Sequence, residues 1–333
     1  FVTSDGTLSS TRSSVESSHD FGWPYEGYVE RLTFSGGTVS LVDSTFSSLY
    51  NGINSMADLS VRDSTFYQAH LDIHATEWLD EVSAWVDGCT FTDSDLRISL
   101  ADSNHQTKTV SILVEDLDID GGHLEMDLQE AYTGSITVDG ASLSGFTGYG
   151  VVVMASGIDG DLVLESMDID GPYGLQALYD FSGLRLLNST ITAQETALDF
   201  VGTHSSVPAY LENVEVTGSQ GLRAKTTVLK VRDTDLTGTT VPVKGEGGAA
   251  ITLTDCLLDE DEMTLEVDPG ERPAIIWVER HLVIDRVRWT IGDPIESGTV
   301  LFSVYSQDTL QQVVKNWEVG SSDRPLIRLM EWS

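Results

Sequence analysis

Leu184-Arg185-Leu186-Leu187-Asn188-Ser189-Thr190-Ile191 is the stretch on which the fold turns. Apolar residues at 184 and 186 alternate with outward positions at 185 and 187. A polar residue follows at 188, and an apolar one returns three positions later at 191. Alternation of period two marks a strand, not a helix. Tyr210-Leu211-Glu212-Asn213-Val214-Glu215-Val216 repeats the pattern one step later.

Working outward, the pattern returns at anchors Asp43, Asp63, Gly88, Asp116, Gly140, Ser166, Asn188, Asn213, Asp233, Asp255, Arg286 and Asn316, with steps of 20 to 31 residues. Two positions before each anchor stands Leu, Val or Ile, and three positions after it stands an apolar residue, from Phe46, Phe66 and Phe91 to Trp289 and Val319. A further strand follows in most repeats, with inward pairs such as Leu71/Ile73, Leu96/Ile98, Leu198/Phe200, Leu222/Ala224, Val241/Val243 and Leu265/Val267. One such repeat cannot bury its own apolar face, so equivalent strands must stack in register. The expected fold is all-β, a parallel β-helix solenoid of about twelve coils, 20–31 residues each, capped at both ends.

The coils at 184 to 191 and 210 to 216 resemble those of the right-handed parallel β-helix, or pectin-lyase-like, superfamily, over roughly residues 30 to 320. That pattern builds lyases, hydrolases, adhesins and phage tailspikes alike, so it implies a fold and leaves the activity to the site.

Residues 1–30 form a Ser/Thr-rich segment and N-terminal cap, a linker or part of a preceding coil followed by the aromatic run Phe21 to Tyr28; residues 31–320 are the helix, and 321–333 a C-terminal cap. Trp277, Trp289, Trp317 and Trp332 gather near that end. At about 4.8 Å per coil, twelve coils would make a rod roughly 55 to 60 Å long.

The chain carries 53 acidic and 18 basic residues, a net charge of -35. Nucleic acid is thereby excluded as a partner. Such self-repulsion is tolerable where salt screens it, which points to a marine or halophilic source, archaeal ones included. Bound divalent cations would account for the same composition. No run of about 20 apolar residues offers direct membrane insertion. Cys89 and Cys256 each sit one position after an anchor, seven coils apart, and are expected to be small buried core residues.

Chemistry is expected on the outward face of the second strand of each coil. One row there reads Asp72, Arg97, Glu125, Val152, Gln176, Asp199, Arg223, Pro242, Glu266, and its neighbour runs from His74, Ser99 and Asp127 to Lys225 and Lys244. His74, Arg97, Glu125, Asp127, Asp199, Arg223 and Lys225 are therefore the candidate carbohydrate-binding residues. Opposite charges one coil apart also make a plain ladder, worth a few tenths of a kcal/mol per pair. Arg223-Ala224-Lys225 resembles the substrate clamp of polygalacturonase-type hydrolases, but the paired carboxylates of that family are missing from Gly171 to Gln176, and His204 poorly replaces its Gly-His-Gly. Glu115, Asp116, Asp118 and Asp120, near His123, are candidate calcium ligands of the kind a pectate-lyase-like site needs, although Asp118 and Asp120 flank an inward Ile119. Asn188-Ser189-Thr190 is a sequon for glycosylation at Asn188, and asparagine also suits the turn there.

Regular coils without a convergent catalytic cluster lead to an extracellular or cell-surface structural or binding protein: a spacer, adhesin or assembly subunit. Its partners are itself, other surface proteins or polysaccharide; it requires no cofactor and has room for calcium. The alternative is a polysaccharide-acting hydrolase or lyase, or an acidic-glycan-binding module centred on Arg223 and Lys225.

Overall fold

The computed structural model describes residues 7–11, 14–16, 32–34, 38–55, 58–74, 81–100, 108–128, 132–156, 160–181, 183–203, 207–257, 263–267, 275–279, 287–291, 297–306 and 309–318. It divides into two compact units, Phe1–Gly171 and Pro172–Ser333. Each unit is a parallel β-solenoid, and every element among the described residues is a strand.

The anchors owe their identity to backbone conformation. All ten from Asp43 to Asp255 are left-handed, with φ between 47° and 74°. Asp, Asn and Gly tolerate that region best, and Ser166 is the exception among the ten. The left-handed residue bends the chain out of one strand and into the next. The residue after it closes the bend from inside. Ser44 Oγ donates to Val42 O at 3.0 Å, Ser64 Oγ to Arg62 O at 2.8 Å, and Thr234 Oγ1 to Arg232 O at 2.9 Å. Cys89 and Cys256 fill the same slot as free, buried thiols, their Sγ atoms 3.3 Å from Asp87 O and 3.5 Å from Thr254 O.

In the first unit, Thr38–Val42, Asp58–Arg62, Glu81–Asp87, Lys108–Asp120, Tyr132–Ser144 and Asp161–Glu165 lie parallel in sequence order. Their register places Leu41, Val61, Val86, Val114, Val138 and Leu164 in one buried column. After the anchors, Phe46, Phe66 and Phe91 stack, with ring centroids 5.1 and 4.4 Å apart. The strand read from the sequence as the second of each coil is its third, as in Glu81–Asp87, Thr90–Thr92 and Leu96–Ser99, and it aligns Leu71, Leu96, Leu124 and Val151. In the second unit, Leu186, Leu211, Val231 and Leu253 make the corresponding column, and Leu175, Leu198, Leu222, Val243 and Leu265 align on the third strands. Thr7–Thr11 and Ser14–Glu16 also pair in parallel, with Thr38–Val42 and with the start of Thr45–Ser55.

Three expectations are corrected. Among the described residues the solenoid has about 8 turns rather than twelve, and the regular left-handed anchors run from Asp43 to Asp255. Beyond Asp255, Ile275–Glu279 pairs with Ala250–Thr254 and sets Val278 opposite Leu253, so the next coil is 25 residues on and is not the one read at Arg286. Asn316 belongs to no parallel coil either, because Thr309–Glu318 runs antiparallel to Ser297–Ser306. Apolar alternation is equally strong in parallel and antiparallel strands, so spacing could not separate them. Third, the inward pair opposite Leu222 and Ala224 is Val243 and Gly245, not Val241 and Val243. A register shift between Glu215 and Thr217 absorbs one extra residue, as bulges do. The aromatic run 21–28, the residue Arg286 and the cap expected at 321–333 lie outside the described residues.

Candidate functional site

The seven expected binding residues fall into two clusters, one in each unit. In the first, the third-strand register sets Arg97 between Asp72 and Glu125, and Ser99 between His74 and Asp127. Arg97 Nη2 donates to Asp95 Oδ2 at 2.7 Å, and its Nε lies 3.1 Å from Glu125 Oε2. Asp95, which the sequence row missed, is the centre of this cluster. It is 7% exposed. Its Oδ1 accepts the His123 N–H at 2.9 Å, and its Oδ2 lies 3.2 Å from His70 Nδ1, which also sits 3.0 Å from the Asp95 backbone nitrogen. Burial alone would raise the Asp95 carboxyl; the hydrogen bond and charge of His70, the His123 N–H and Arg97 outweigh it and bring it down to about 2. The same carboxylates hold the Arg97 guanidinium above its usual value despite burial. One Asp127 oxygen is buried without a hydrogen bond among the described residues.

The second cluster is built around Arg223. Asp199, 2% exposed, accepts from Gln176 Nε2 at 3.1 Å and faces Arg223 Nη1 at 3.4 Å. Because of the register correction, Lys244 rather than Pro242 follows Arg223 in the row, and Glu246 rather than Lys244 follows Lys225. Glu246 accepts from one edge of the guanidinium, from Nε at 3.4 Å and Nη2 at 3.1 Å, and lies 3.2 Å from Lys244 Nζ. Burial raises the Glu246 carboxyl less than Arg223 and Lys244 lower it, so it lies below the usual range. Lys225 is exposed. Arg223 is thus held by two carboxylates of neighbouring coils, the arrangement of a structural ladder.

The candidate calcium ligands do not converge. Glu115 accepts from Trp85 Nε1 at 3.0 Å, Asp116 is a left-handed anchor, and Asp118 and Asp120 are exposed on either side of buried Ile119. Among the described residues no three His, Cys, Asp or Glu side chains group as a metal site. Asn188 is exposed, and its Oδ1 accepts from Asn213 Nδ2 at 2.8 Å, a side-chain ladder between adjacent anchors. His204 lies outside the described residues.

Asp95 and Glu246 escaped the sequence rows for different reasons. Asp95 lies in the bend just before Leu96, where alternation carries no information. Glu246 was displaced by the bulge. Fold and ion-paired faces together define a parallel β-solenoid repeat protein. No protein-family model, curated protein or solved structure matches the chain.

Proposed function

We propose that the chain is a non-catalytic structural or binding solenoid of the right-handed, pectin-lyase-like type, displayed outside the cell or on its surface as a spacer, adhesin or assembly subunit. The observation that carries this reading is the state of the third-strand face: Arg97 is engaged by Asp95 of its own coil and Glu125 of the next, and Arg223 by Asp199 and Glu246 of the coils on either side. A sugar-cleaving site needs carboxyls held at a controlled separation about the substrate. Here the carboxylates serve the cations instead. The net charge of -35 fits a saline setting, of a marine or halophilic archaeon for instance, and calcium is the bridging ion expected to aid assembly. Among the described residues no helix is long and apolar enough to cross a membrane.

Electron microscopy of the purified chain in high salt, with millimolar calcium and then with chelator, tests the assembly role. Filaments, sheets or end-joined particles that dissolve on chelation are the expected result; single particles in both conditions would remove the assembly role.

A second reading, a polysaccharide hydrolase or lyase, draws support from His70 beside buried Asp95 and Arg97, an oriented imidazole next to a cation. Depolymerisation of an acidic polysaccharide by the wild type, lost in His70→Ala, would establish it over the structural reading.

A further inference from the structure

Among the described residues, cations of the second unit gather on two faces. Arg223 and Lys244 are tied to Glu246 on the third strands. Arg185, Lys230 and Arg232 lie on the strands that precede the anchors, around an open groove with a volume of about 680 Å³. Its floor is made of consecutive coils: Arg185 pairs in register with Tyr210, Tyr210 with Lys230 and Lys230 with Thr252, while Glu212, Arg232 and Thr254 form the next row. At about 4.8 Å per coil, Arg185 and Lys230 stand roughly 10 Å apart with Tyr210 between them. Tyr210 is 37% exposed, and Lys230 Nζ lies 5.6 Å from its ring centroid. Arg232 is shared with Asp233 at 3.1 Å. Among the described residues, Arg185 and Lys230 have no carboxylate partner.

In a chain with 53 acids and 18 bases, this grouping is the reverse of the surrounding field. We propose that the groove is a binding site for a polyanionic polysaccharide, carboxylated or sulfated, with Arg185 and Lys230 meeting its anionic groups, Tyr210 its apolar ring faces, and Thr252 and Thr254 its hydroxyls. An extended acidic peptide fits less well. The backbone of the floor is paired within the sheet, so a peptide finds no edge on which to add a strand. The assignment rests on the non-catalytic binding reading and moves the binding face from Arg223 to Arg185 and Lys230.

Calorimetric titration in 0.15 M NaCl with polygalacturonate, dextran sulfate, neutral dextran and polyglutamate tests it. One or both charged polysaccharides are expected to bind, and neutral dextran is not. Arg185→Ala, Tyr210→Ala and Lys230→Ala, all outward-facing, should each weaken binding about two- to five-fold. The double variant Arg185→Glu/Lys230→Glu should abolish it with an unchanged melting temperature, and Lys225→Ala on the other face should bind as the wild type does. No binding to either polyanion, full binding by the double variant, an equal loss in Lys225→Ala, or polyglutamate bound as tightly as polygalacturonate would each overturn the assignment. The chain length of the recovered polygalacturonate separates the two readings: shortening overturns the non-catalytic reading, whereas intact polymer with no binding overturns only this site.

Discussion

Asp95 shows what one buried carboxylate does in this protein. Its folded-state value of about 2 lies below the unfolded value near 3.8, so its contribution is fully present above about pH 4 and is lost as pH falls through about 2. From that difference the contribution is about 2 kcal/mol. Asp95→Asn should therefore lower unfolding free energy by about that much at pH 6, and the gap to wild type should close towards pH 2. Urea titrations of both proteins across that range check it; a gap that stays constant with pH would mean the carboxylate charge is not what matters. In the sequence Asp95 is one of three polar residues in Asp93-Ser94-Asp95. Its partners His70, Arg97 and His123 come from three different coils, and only the stacking reveals that they meet.

The coil is built from two devices, a left-handed turn and a stacked column. At Asp63, φ is 49° and the backbone N–H donates to Asp87 O at 2.9 Å. A β-branched residue is strained there, so Asp63→Val should destabilise by about 1–3 kcal/mol while Asp63→Gly stays within about 1 kcal/mol of wild type. Thermal melts of the pair distinguish a backbone requirement from a side-chain one, because loss of the side chain is common to both. Phe66 lies fully buried between Phe46 and Phe91. Phe66→Ala removes both stacking contacts and leaves a cavity, at a cost of about 3–5 kcal/mol by denaturant unfolding. These elements were legible from the sequence, since anchor identity and apolar columns are local patterns. The elements misread were those where the pattern is insensitive: the bulge after Glu215, the coil at Ile276 and Val278, and the antiparallel return of Thr309–Glu318.

For the whole molecule the governing quantity is the net charge of -35. Repulsion between acidic rows reaches across several coils at 0.01 M salt, where the screening length is about 30 Å, and is confined to adjacent groups at 1 M, where it is about 3 Å. The melting temperature should rise by several degrees between those conditions, more than for the ion-paired clusters alone, which salt weakens. Calorimetric scans in a sodium chloride series test this, and a flat or falling trend would show that self-repulsion is not limiting. The sequence by itself determined the parallel β-solenoid, the places of its regular anchors and the buried cysteine slots, because each follows from a short pattern repeated along the chain. Only the tertiary structure decided the number of turns, which charges are paired across coils, and which face holds Arg185 and Lys230 with no carboxylate partner among the described residues. Those depend on register between strands 20 to 28 residues apart, where a slip of one or two residues changes every neighbour without changing the local pattern.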